Sequence, residues 1–473
     1  MDLRLTVAIL CGKVFSFVLK LFGSGATAAP GLLALKIDPN LVTKLSQRIR
    51  HGSIIISGTN GKTTTSRLIA DLVTTSSKII HNRQGSNLLR GIASTLIQES
   101  SILSKIDCDW GIWEADEATV PEAAKSTSPK ILVLINLFRD QLDRYGEVDT
   151  TRAKWQKTIE SLARETTLIL NADDPGVSYL GRFHKGKVIY FGVNDKKLNL
   201  PQISHVADIR YCLNCTHKLI YETQLSSHMG HYSCSNCNFK RPEPTVNASN
   251  LDFKPDFSTN LQLTINLGPQ STGRGPHGTV YSPLTINYSL PGLYNVYNVL
   301  AAASVASALD LDPQTIKETA SSFSAAFGRF QKIKIGQKTI ITFLIKNPAG
   351  ANEVLRIISK KNKLNILTIL NDNIADGHDV SWIWDTDWEI LSSRVKQIAV
   401  SGTRVWDMAN RLKYAGIELS KDNIYKEVYY SITSSVQKLD TKGTLLILPT
   451  YTALLAIQKT LSRLGGQTKW QKQ

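Results

Sequence analysis

One glycine-rich segment constrains the fold of this chain more than any other feature of the sequence. The segment runs from Ser57 to Thr65 and reads SGTNGKTTT, with an apolar strand pattern before it and a helical pattern after it. Glycines let backbone N–H groups approach phosphate oxygens, and a helix N-terminus and a lysine attract negative charge. This order of strand, loop and helix predicts a phosphate-binding loop on a parallel α/β sheet, since a simple glycine turn would not need the Lys-Thr-Thr run.

The loop differs from the commoner phosphate loop in its spacing. Two residues, rather than four, separate Gly58 from the Gly61-Lys62 pair. We predict that Lys62 neutralises phosphate charge and that the Thr63 hydroxyl helps to hold Mg²⁺. The predicted ATP-binding residues of the loop are Gly58, Thr59, Asn60, Gly61, Lys62, Thr63 and Thr64.

Strand patterns alternate with helical patterns over two long stretches of the chain. The first includes DWGIWEA, KILVLINL and TTLILNADD, and the second includes TIITFLI, LNILTIL, QIAVSG and GTLLILP. Such alternation is typical of parallel sheets covered by helices. We predict an α/β protein with an N-terminal helical segment (1–48), a central ATP-binding domain (49–330) and a C-terminal Rossmann-like domain (331–473). Polar sequence with short alternating strands around residues 200–290 is interpreted as an insertion.

Four of the six cysteines lie close together within that insertion. Cys212 and Cys215 form one C-x-x-C pair, and Cys234 and Cys237 form another after 18 intervening residues. This is the spacing of a tetrahedral Cys₄ zinc ribbon, and four thiolates leave no open position for substrate. The sequence predicts a structural Zn²⁺ site within about residues 205–245, with a redox dithiol as the alternative. The neighbouring histidines are expected to be solvated or to lie close to the metal ligands without binding the metal: His217, His228 and His231.

The chain is strongly basic, with a formal net charge of +16. Such a charge attracts nucleic acids, anionic membranes and phosphorylated substrates alike. Because no basic run is interleaved with aromatic residues, we predict no nucleic-acid partner. In the absence of a convincing secretory signal, we predict a cytoplasmic protein.

The N-terminal segment LRLTVAILCGKVFSFVLKLFG is apolar, but Lys13 and Lys20 leave it short of a membrane span. Two interpretations remain open: a helix docked on the next domain, or a helix resting on the inner face of the plasma membrane. In either case helical spacing predicts one broad apolar side formed by Leu5, Ile9, Val14, Phe17 and Leu21.

The shortened loop GTNGKTTT resembles that of the Mur ligase family, and further segments follow in the order of that family. Glu114, within WEADE, matches the family's Mg²⁺-binding glutamate at a strand end, where a carboxylate suits a hard cation. Gln141 stands where the family has a histidine that is linked to a second Mg²⁺. The same stretch, INLFRDQLDRYGEVDTTRAKW, matches the family at Asn136, Asp140, Asp143 and Lys154, the last being a lysine that is often carbamylated.

The resemblance also implies nucleotide contacts farther along the chain. Asn295 and Asn298 follow Gly292, and their amides suit the edge of a purine. Arg329, in a Gly-Arg-Phe sequence, suits a γ-phosphate. The segment Asn171-Ala172-Asp173-Asp174 precedes them in the order in which the family places such contacts.

Within the family, the chain resembles the MurT-type ligase subunits of lipid II isoglutaminyl synthases. The match rests on the lack of a UDP-binding domain before the loop, on the Cys₄ insertion, and on the sequence NDNIADG followed by SWIWD. The resemblance implies a GatD-type glutaminase partner, whose catalytic Cys and His are completed by an aspartate of the ligase subunit. We favour Asp385 for that role, with Asp376 and Asp379 as alternatives.

The implied reaction is the ATP-dependent amidation of the D-glutamate carboxyl of lipid II through an acyl phosphate, a step of peptidoglycan synthesis at the inner face of the membrane. Lys62, Glu114 and Lys154 are the residues expected to support the chemistry. Two alternatives remain: a standalone ligase of the Mur or folylpolyglutamate synthase type, and a nucleotide-switched scaffold that does not consume ATP. The expected cofactors are ATP, Mg²⁺ and structural Zn²⁺.

Overall fold

The computed structural model describes most of the chain. Its two main sheets have nine and five strands, and a separate pair of strands forms a hairpin. Two α/β sheets were expected from the sequence, and the α/β fold class is confirmed. The described residues are 2–22, 27–83, 86–140, 148–200, 208–266, 283–324 and 330–465.

The larger sheet is parallel over most of its width. Its strands are β1 (Gly52–Ser57), β2 (Ile79–His81), β3 (Trp110–Glu114), β4 (Ile131–Leu134), β5 (Thr167–Asn171), β6 (Val188–Val193), β9 (Val246–Phe253), β10 (Thr259–Ile265) and β11 (Leu284–Tyr288). They have the order β11-β10-β9-β6-β5-β4-β1-β3-β2, and only the pairs β9–β10 and β10–β11 are antiparallel. Helices cover both faces, so the central strands are almost continuously buried and apolar.

Ten helices accompany this sheet in the described part of the chain. They are α1 (Leu3–Leu21), α2 (Ala29–Ile37), α3 (Leu41–Ser46), α4 (Lys62–Thr74), α5 (Leu89–Glu99), α6 (Val120–Thr127), α7 (Val148–Glu160), α8 (Pro175–Ser178), α9 (Leu293–Ala308) and α10 (Pro313–Ser322). Helices α4, α9 and α10 contribute to the apolar core on one face of the sheet, and the other helices contribute to the core on the opposite face.

The smaller sheet follows in the C-terminal part of the chain. Its strands are β12 (Phe330–Ile335), β13 (Lys338–Phe343), β14 (Leu364–Ile369), β15 (Val395–Ser401) and β16 (Thr444–Pro449), in the order β12-β13-β16-β14-β15. Its helices are α11 (Pro348–Ile358), α12 (Val405–Tyr414), α13 (Val428–Gln437) and α14 (Tyr451–Arg463). All its neighbouring strands are parallel except β12 and β13. Strands β13 to β16 match the patterns TIITFLI, LNILTIL, QIAVSG and GTLLILP, whereas β12 was not among the predicted strands.

The predicted insertion over residues 200–290 is only partly correct. Strands β7 (Leu219–Ser226) and β8 (Met229–Cys234) form a separate antiparallel hairpin, and β8 ends at Cys234. Strands β9 to β11, in contrast, extend the larger sheet, with β9 parallel to β6. Their alternating pattern reflects an antiparallel sheet edge with one covered face, as the burial of β10 shows, and not a separate unit.

The prediction of one apolar side on the N-terminal helix is wrong. Leu5 and Ile9 are fully buried, whereas Val14, Phe17 and Leu21 are exposed. Both sides of α1 are therefore apolar, and only one of them packs against α2 and α5. No helix in the described ranges has the length and apolar character needed to cross a membrane.

Candidate active site and metal centre

The phosphate loop lies between β1 and α4, as the sequence predicted. Gly61 has a φ of +90°, and a Cβ atom there would lie 2.1 Å from the Oδ1 atom of Asn298, so the close approach of α9 requires glycine. The Nζ atom of Lys62 donates a hydrogen bond of 2.7 Å to the carbonyl oxygen of Gly58. The lysine side chain thus folds back across the loop, towards the space that phosphate oxygens occupy in loops of this type.

Two buried carboxylates also form ion pairs with the amine of Lys62. Its Nζ atom lies 2.8 Å from Glu117 and 3.4 Å from Asp116. Burial alone would lower the pKa of Lys62, but the charges of both carboxylates outweigh burial and raise that pKa. Burial raises the pKa of Glu117 to about 7 despite the charge of Lys62, with a further contribution from Asp116. Glu117 was not among the predicted site residues, although it follows Glu114 by three positions.

Replacing Glu117 with glutamine should change how stability depends on pH. The raised pKa means that the Glu117 carboxyl keeps its proton in the folded state at pH values where the unfolded chain, with a pKa of 4.5, has released it. The free energy of unfolding of wild type therefore falls as the pH rises towards about 7. Glutamine does not titrate. The variant should therefore gain about 2 kcal/mol over wild type between about pH 5 and about pH 8, measured by urea unfolding.

The exposed residue Glu122 provides the control, because Glu122→Gln should show no comparable pH-dependent difference from wild type. If Glu117→Gln and wild type differed by the same free energy of unfolding at both pH values, the raised pKa of Glu117 would be refuted.

Glu114 lies beside the phosphate loop at the end of β3. Its Oε1 atom accepts a hydrogen bond of 2.9 Å from the Thr63 hydroxyl, and the two backbones meet because Glu114 pairs with Ile56 of β1. Asn82 fixes the backbone of Glu114 with one hydrogen bond to its N–H and one to its carbonyl oxygen, both 2.9 Å long. A hydroxyl and a carboxylate oxygen at this spacing form a ligand pair that suits Mg²⁺.

The C-terminal part of the chain reaches the phosphate loop through two residues that follow β13. Lys346 donates hydrogen bonds to the carbonyl oxygen of Thr59 (3.0 Å) and to the Oδ2 atom of Asp140 (2.6 Å). Asn347 exchanges amide hydrogen bonds with Asn60, at 3.1 and 3.4 Å. The loop therefore lies in a cleft between the two sheets, and a cation from the second sheet adds positive charge to it.

The two asparagines predicted to contact the nucleotide lie on α9, next to the loop. Both are buried and line the same cleft as Asn60 and Gly61. Asn298 accepts a hydrogen bond of 3.2 Å from the Thr65 hydroxyl and donates one of 3.0 Å to Asn295. The structure thus brings Asn295 and Asn298 to the phosphate loop, and their contact with a nucleotide stays a prediction.

Other predicted residues lie elsewhere. Lys154 is exposed on α7, whereas its neighbour Trp155 points inward and donates a hydrogen bond of 2.9 Å to the carbonyl oxygen of Glu117. Asp173 binds Arg241 and accepts a hydrogen bond from the hydroxyl of Tyr297, and Tyr297 in turn lines the cleft. Three residues lie outside the described residues: Gln141, Asp143 and Arg329.

The three aspartates proposed to complete a glutaminase triad have different surroundings. Asp376 is buried and accepts hydrogen bonds from the backbone N–H and the hydroxyl of Thr452, at the start of α14. Asp379 accepts a hydrogen bond of 2.8 Å from the N–H of Ser381, the first residue of the short 3₁₀ helix Ser381–Asp385. Asp385 ends that helix with a half-exposed side chain, 3.7 Å from Arg139.

The four clustered cysteines converge as predicted. The Sγ atoms of Cys212 and Cys237 are 3.5 Å apart, and those of Cys215 and Cys234 are 3.4 Å apart. All four lie within 4.8 Å of one another. A tetrahedral Zn²⁺ ion with Zn–S bonds of about 2.3 Å separates its sulfurs by about 3.8 Å, so the four thiols fit such an ion with little rearrangement.

The expectation that the nearby histidines are solvated or close to the metal ligands is wrong for His228. This residue forms the tip of the β7–β8 hairpin, is fully buried, and packs on Phe138 with the ring centroids 4.9 Å apart. Its Nε2 atom is 3.4 Å from Asp174, and its Nδ1 atom is 3.9 Å from Asp208. Burial alone would lower the pKa of His228, but these two carboxylates raise it. The hairpin tip is thus anchored in the core behind the cleft.

Comparison with known proteins agrees with this geometry. Residues 56–237 match the Mur ligase middle domain, and residues 344–454 match the MurT ligase C-terminal domain. The sequence is 34% identical to the lipid II isoglutaminyl synthase (glutamine-hydrolyzing) subunit MurT of Staphylococcus aureus, over 98% of this chain and 100% of that protein. It is 32% identical to the subunit of the same name from Streptococcus pneumoniae, over 98% of each chain.

A solved structure with a similar fold is the pseudomurein peptide ligase type C of Methanothermus fervidus. Its TM-score is 0.65 at 23% identity, and the match covers 89% of this chain and 80% of that one. At this identity the likeness bears on the fold alone. The full-length identity to two MurT subunits and the two domain matches establish the family. The chain is a member of the Mur ligase family of ATP-dependent ligases, within the group of MurT subunits.

Proposed function

We propose that this chain is the ATP-consuming subunit of a two-subunit amidotransferase that amidates the D-glutamate α-carboxyl of lipid II during peptidoglycan synthesis. The observation that carries the proposal is the grouping of Lys62, Thr63 and Glu114 in the cleft between the two sheets. These groups suit phosphoryl transfer to a carboxylate, in which positioning and charge neutralisation provide most of the catalysis. The names of the MurT relatives support the choice of substrate.

In the proposed reaction, the loop N–H groups and Lys62 hold the phosphates of ATP. A carboxylate oxygen of D-glutamate attacks the γ-phosphorus, the bond to the bridging oxygen breaks, and ADP leaves with that oxygen. Ammonia then attacks the carbonyl carbon of the acyl phosphate, inorganic phosphate leaves, and the nitrogen loses a proton to give the amide. Lys62 neutralises the negative charge that develops during the first step. Mg²⁺ held by Thr63 and Glu114 would supply further positive charge at the phosphates.

The four-cysteine cluster is proposed to hold a structural Zn²⁺ ion. Its support is the sulfur geometry, because four thiolates complete a tetrahedral shell and leave no open position for a substrate. These thiolates belong to Cys212, Cys215, Cys234 and Cys237. The ion would fix the base of the β7–β8 hairpin, whose opposite end carries His228 into the core. Its proposed role is therefore to stabilise the wall of the cleft.

The proposed source of ammonia is a glutaminase subunit that binds near Asp385. Asp385 is favoured among the three candidate aspartates because Asp376 is buried against Thr452 and Asp379 accepts a hydrogen bond from Ser381, whereas the half-exposed carboxylate of Asp385 lies 3.7 Å from Arg139. Next to it, Trp384 is half exposed and packs against the exposed ring of Tyr414, with the centroids 5.6 Å apart. Exposed aromatic side chains beside an accessible carboxylate are typical of a protein-binding surface.

Replacing Asp385 with asparagine should abolish glutamine-dependent amidation and leave ammonium-dependent amidation intact. The carboxylate of a triad orients the histidine and stabilises its charged form, so the loss should be at least about a hundredfold. The assay compares glutamine with ammonium at alkaline pH, each with ATP, lipid II and the glutaminase subunit. A variant that lost both activities equally would place Asp385 in the ligase reaction instead.

Asp379→Asn is the matched control, since Asp379 lies two residues before the same 3₁₀ helix but accepts a hydrogen bond from the N–H of Ser381. It should retain glutamine-dependent activity. If Asp379→Asn had the larger selective effect on glutamine use, the assignment of Asp385 would be wrong and Asp379 would replace it.

The proposed function itself is tested by incubating lipid II with ATP, ammonium and the purified chain, and by detecting the small mass decrease that accompanies conversion of a hydroxyl to an amino group. A standalone amino-acid ligase would instead produce a mass increase, with an amino acid or glutamate as the nucleophile. A scaffold that does not consume ATP would release no phosphate, and its partner binding would survive Glu114→Gln.

A further inference from the structure

Helix α1 has an outer face that the rest of the chain does not cover. Six large apolar side chains on this face are between 42% and 73% exposed. They recur every three or four residues, so they form one stripe along the full length of the helix. The stripe consists of Leu3, Val7, Leu10, Val14, Phe17 and Leu21.

The inner face of the same helix fixes its position. Leu5, Ala8 and Ile9 are fully buried in the core beneath the larger sheet. A Cβ atom at Gly12 would lie 3.0 Å from Ile97, which shows how closely α1 approaches α5. The stripe therefore cannot be buried by a simple rotation of the helix, because rotation would expose an equally apolar set.

The charge within the segment that carries the stripe has one sign, although Glu99 of α5 lies near Lys13. Residues 3–37, which include α1 and α2, contain four basic residues and no acidic ones. The acidic residues at the two ends of this segment, Asp2 and Asp38, are both paired with Lys44. At about 100° per residue, the basic residues of α1 lie about 80–100° from the centre of the stripe, just outside its borders. These basic residues are Arg4, Lys13 and Lys20.

From this arrangement we propose that the outer face of α1 lies on an anionic membrane surface, with the helix axis parallel to the bilayer. The apolar stripe enters the boundary between headgroups and acyl chains, and the bordering basic residues contact lipid phosphates. The inference deepens the proposed function, since it would bring the cleft to a membrane-bound substrate.

A second copy of the chain and the glutaminase subunit are the competing occupants of this face. Self-association through the stripe would bring two basic borders together, which costs free energy. The surface proposed for the glutaminase lies instead beside Asp385, on the smaller sheet. The long-range field also favours an anionic surface, because the whole chain has a formal net charge of +16.

Vesicle binding tests the inference without requiring catalysis. The purified full chain, alone and in complex with the glutaminase subunit, is sedimented with vesicles of phosphatidylcholine or of phosphatidylcholine mixed with phosphatidylglycerol. Wild type should bind the anionic vesicles, and binding should weaken as salt is added. The triple variant Val14→Gln, Phe17→Gln, Leu21→Gln should lower the partition coefficient at least about tenfold.

A matched triple variant changes apolar residues of similar exposure elsewhere: Ile102→Gln, Leu103→Gln, Leu455→Gln. It should bind vesicles as wild type does. A charge pair completes the design: Lys20→Glu should weaken binding to anionic vesicles, whereas Lys442→Glu, at another exposed lysine, should have little effect.

Three results would overturn the inference: no binding of wild type to anionic vesicles, equal loss of binding in both triple variants, or loss of self-association or of the glutaminase complex in the α1 variant. The last result would assign the stripe to a protein partner.

Amidation of a water-soluble stem-peptide substrate separates this inference from the proposed function, since the α1 variant should retain that activity. Failure of wild type in that assay would count against the function and not against the membrane surface.

Discussion

Replacing Lys62 with methionine is expected to lower ATP-dependent ligation by at least about a thousandfold. The lysine amine lies between the Gly58 carbonyl oxygen and the carboxylate of Glu117, and it is the one cation on the phosphate loop itself. A preorganised charge at a reacting phosphate is commonly worth about two to three orders of magnitude or more in rate. Phosphate release and amidation of lipid II with ammonium measure the loss.

The same substitution leaves two buried carboxylates without their cation, so stability has to be separated from catalysis. Removal of one partner of a buried ion pair can cost about 3–5 kcal/mol, but Glu117 can take up a proton because its pKa is raised to about 7. The double variant Lys62→Met, Glu117→Gln should therefore regain stability and remain inactive. Lys157→Met, at an exposed lysine on α7, is the control for a lost lysine. Activity of Lys62→Met within about tenfold of wild type would contradict the proposed mechanism.

Replacing Cys234 with serine is expected to release bound zinc and to lower the melting temperature by about 5–10 °C. The ion would hold the base of the β7–β8 hairpin, and a structural zinc contributes its binding free energy to folding. The hairpin also carries His228 and Tyr232 into the core, so a loosened base should disturb packing around Phe138. Metal analysis together with thermal unfolding, with and without a chelator, measures both effects.

Cys11→Ser is the control, because Cys11 lies on α1 and outside the cluster. It should retain zinc and the wild-type melting temperature. A wild-type protein purified without zinc, or a Cys234→Ser variant with an unchanged melting temperature, would contradict a structural zinc site. A redox role for the cysteines would then have to be considered.

Local sequence patterns predicted much of this protein. The phosphate loop could be identified because glycine spacing, a lysine and two flanking elements are all encoded within about fifteen consecutive residues. Most of the buried parallel strands, β1, β3 to β5 and β13 to β16, were visible as apolar runs, since parallel strands covered on both faces need no polar side. The four-cysteine cluster was equally local, because each C-x-x-C pair lies on one turn.

Features that depend on long-range packing could not be found in this way. Glu117 reaches Lys62 across 55 residues, and nothing in its own segment distinguishes it from Glu114. Lys346 and Asn347 contact the phosphate loop only because the smaller sheet packs against the larger one. His228 was placed near the metal ligands because it is close to them in sequence, whereas the hairpin carries it to the core.

The sequence by itself determined the α/β class, the phosphate loop and the four-cysteine cluster, because each depends on neighbouring residues. Only the tertiary structure decided which side of α1 packs and which stays exposed, since Leu5 and Phe17 are equally apolar and differ only in what lies next to them. It also distinguished Asp385 from Asp376, because the groups that contact a carboxylate come from distant elements. The backbone N–H of Thr452 donates a hydrogen bond to Asp376, whereas the side chain of Asp385 stays half exposed.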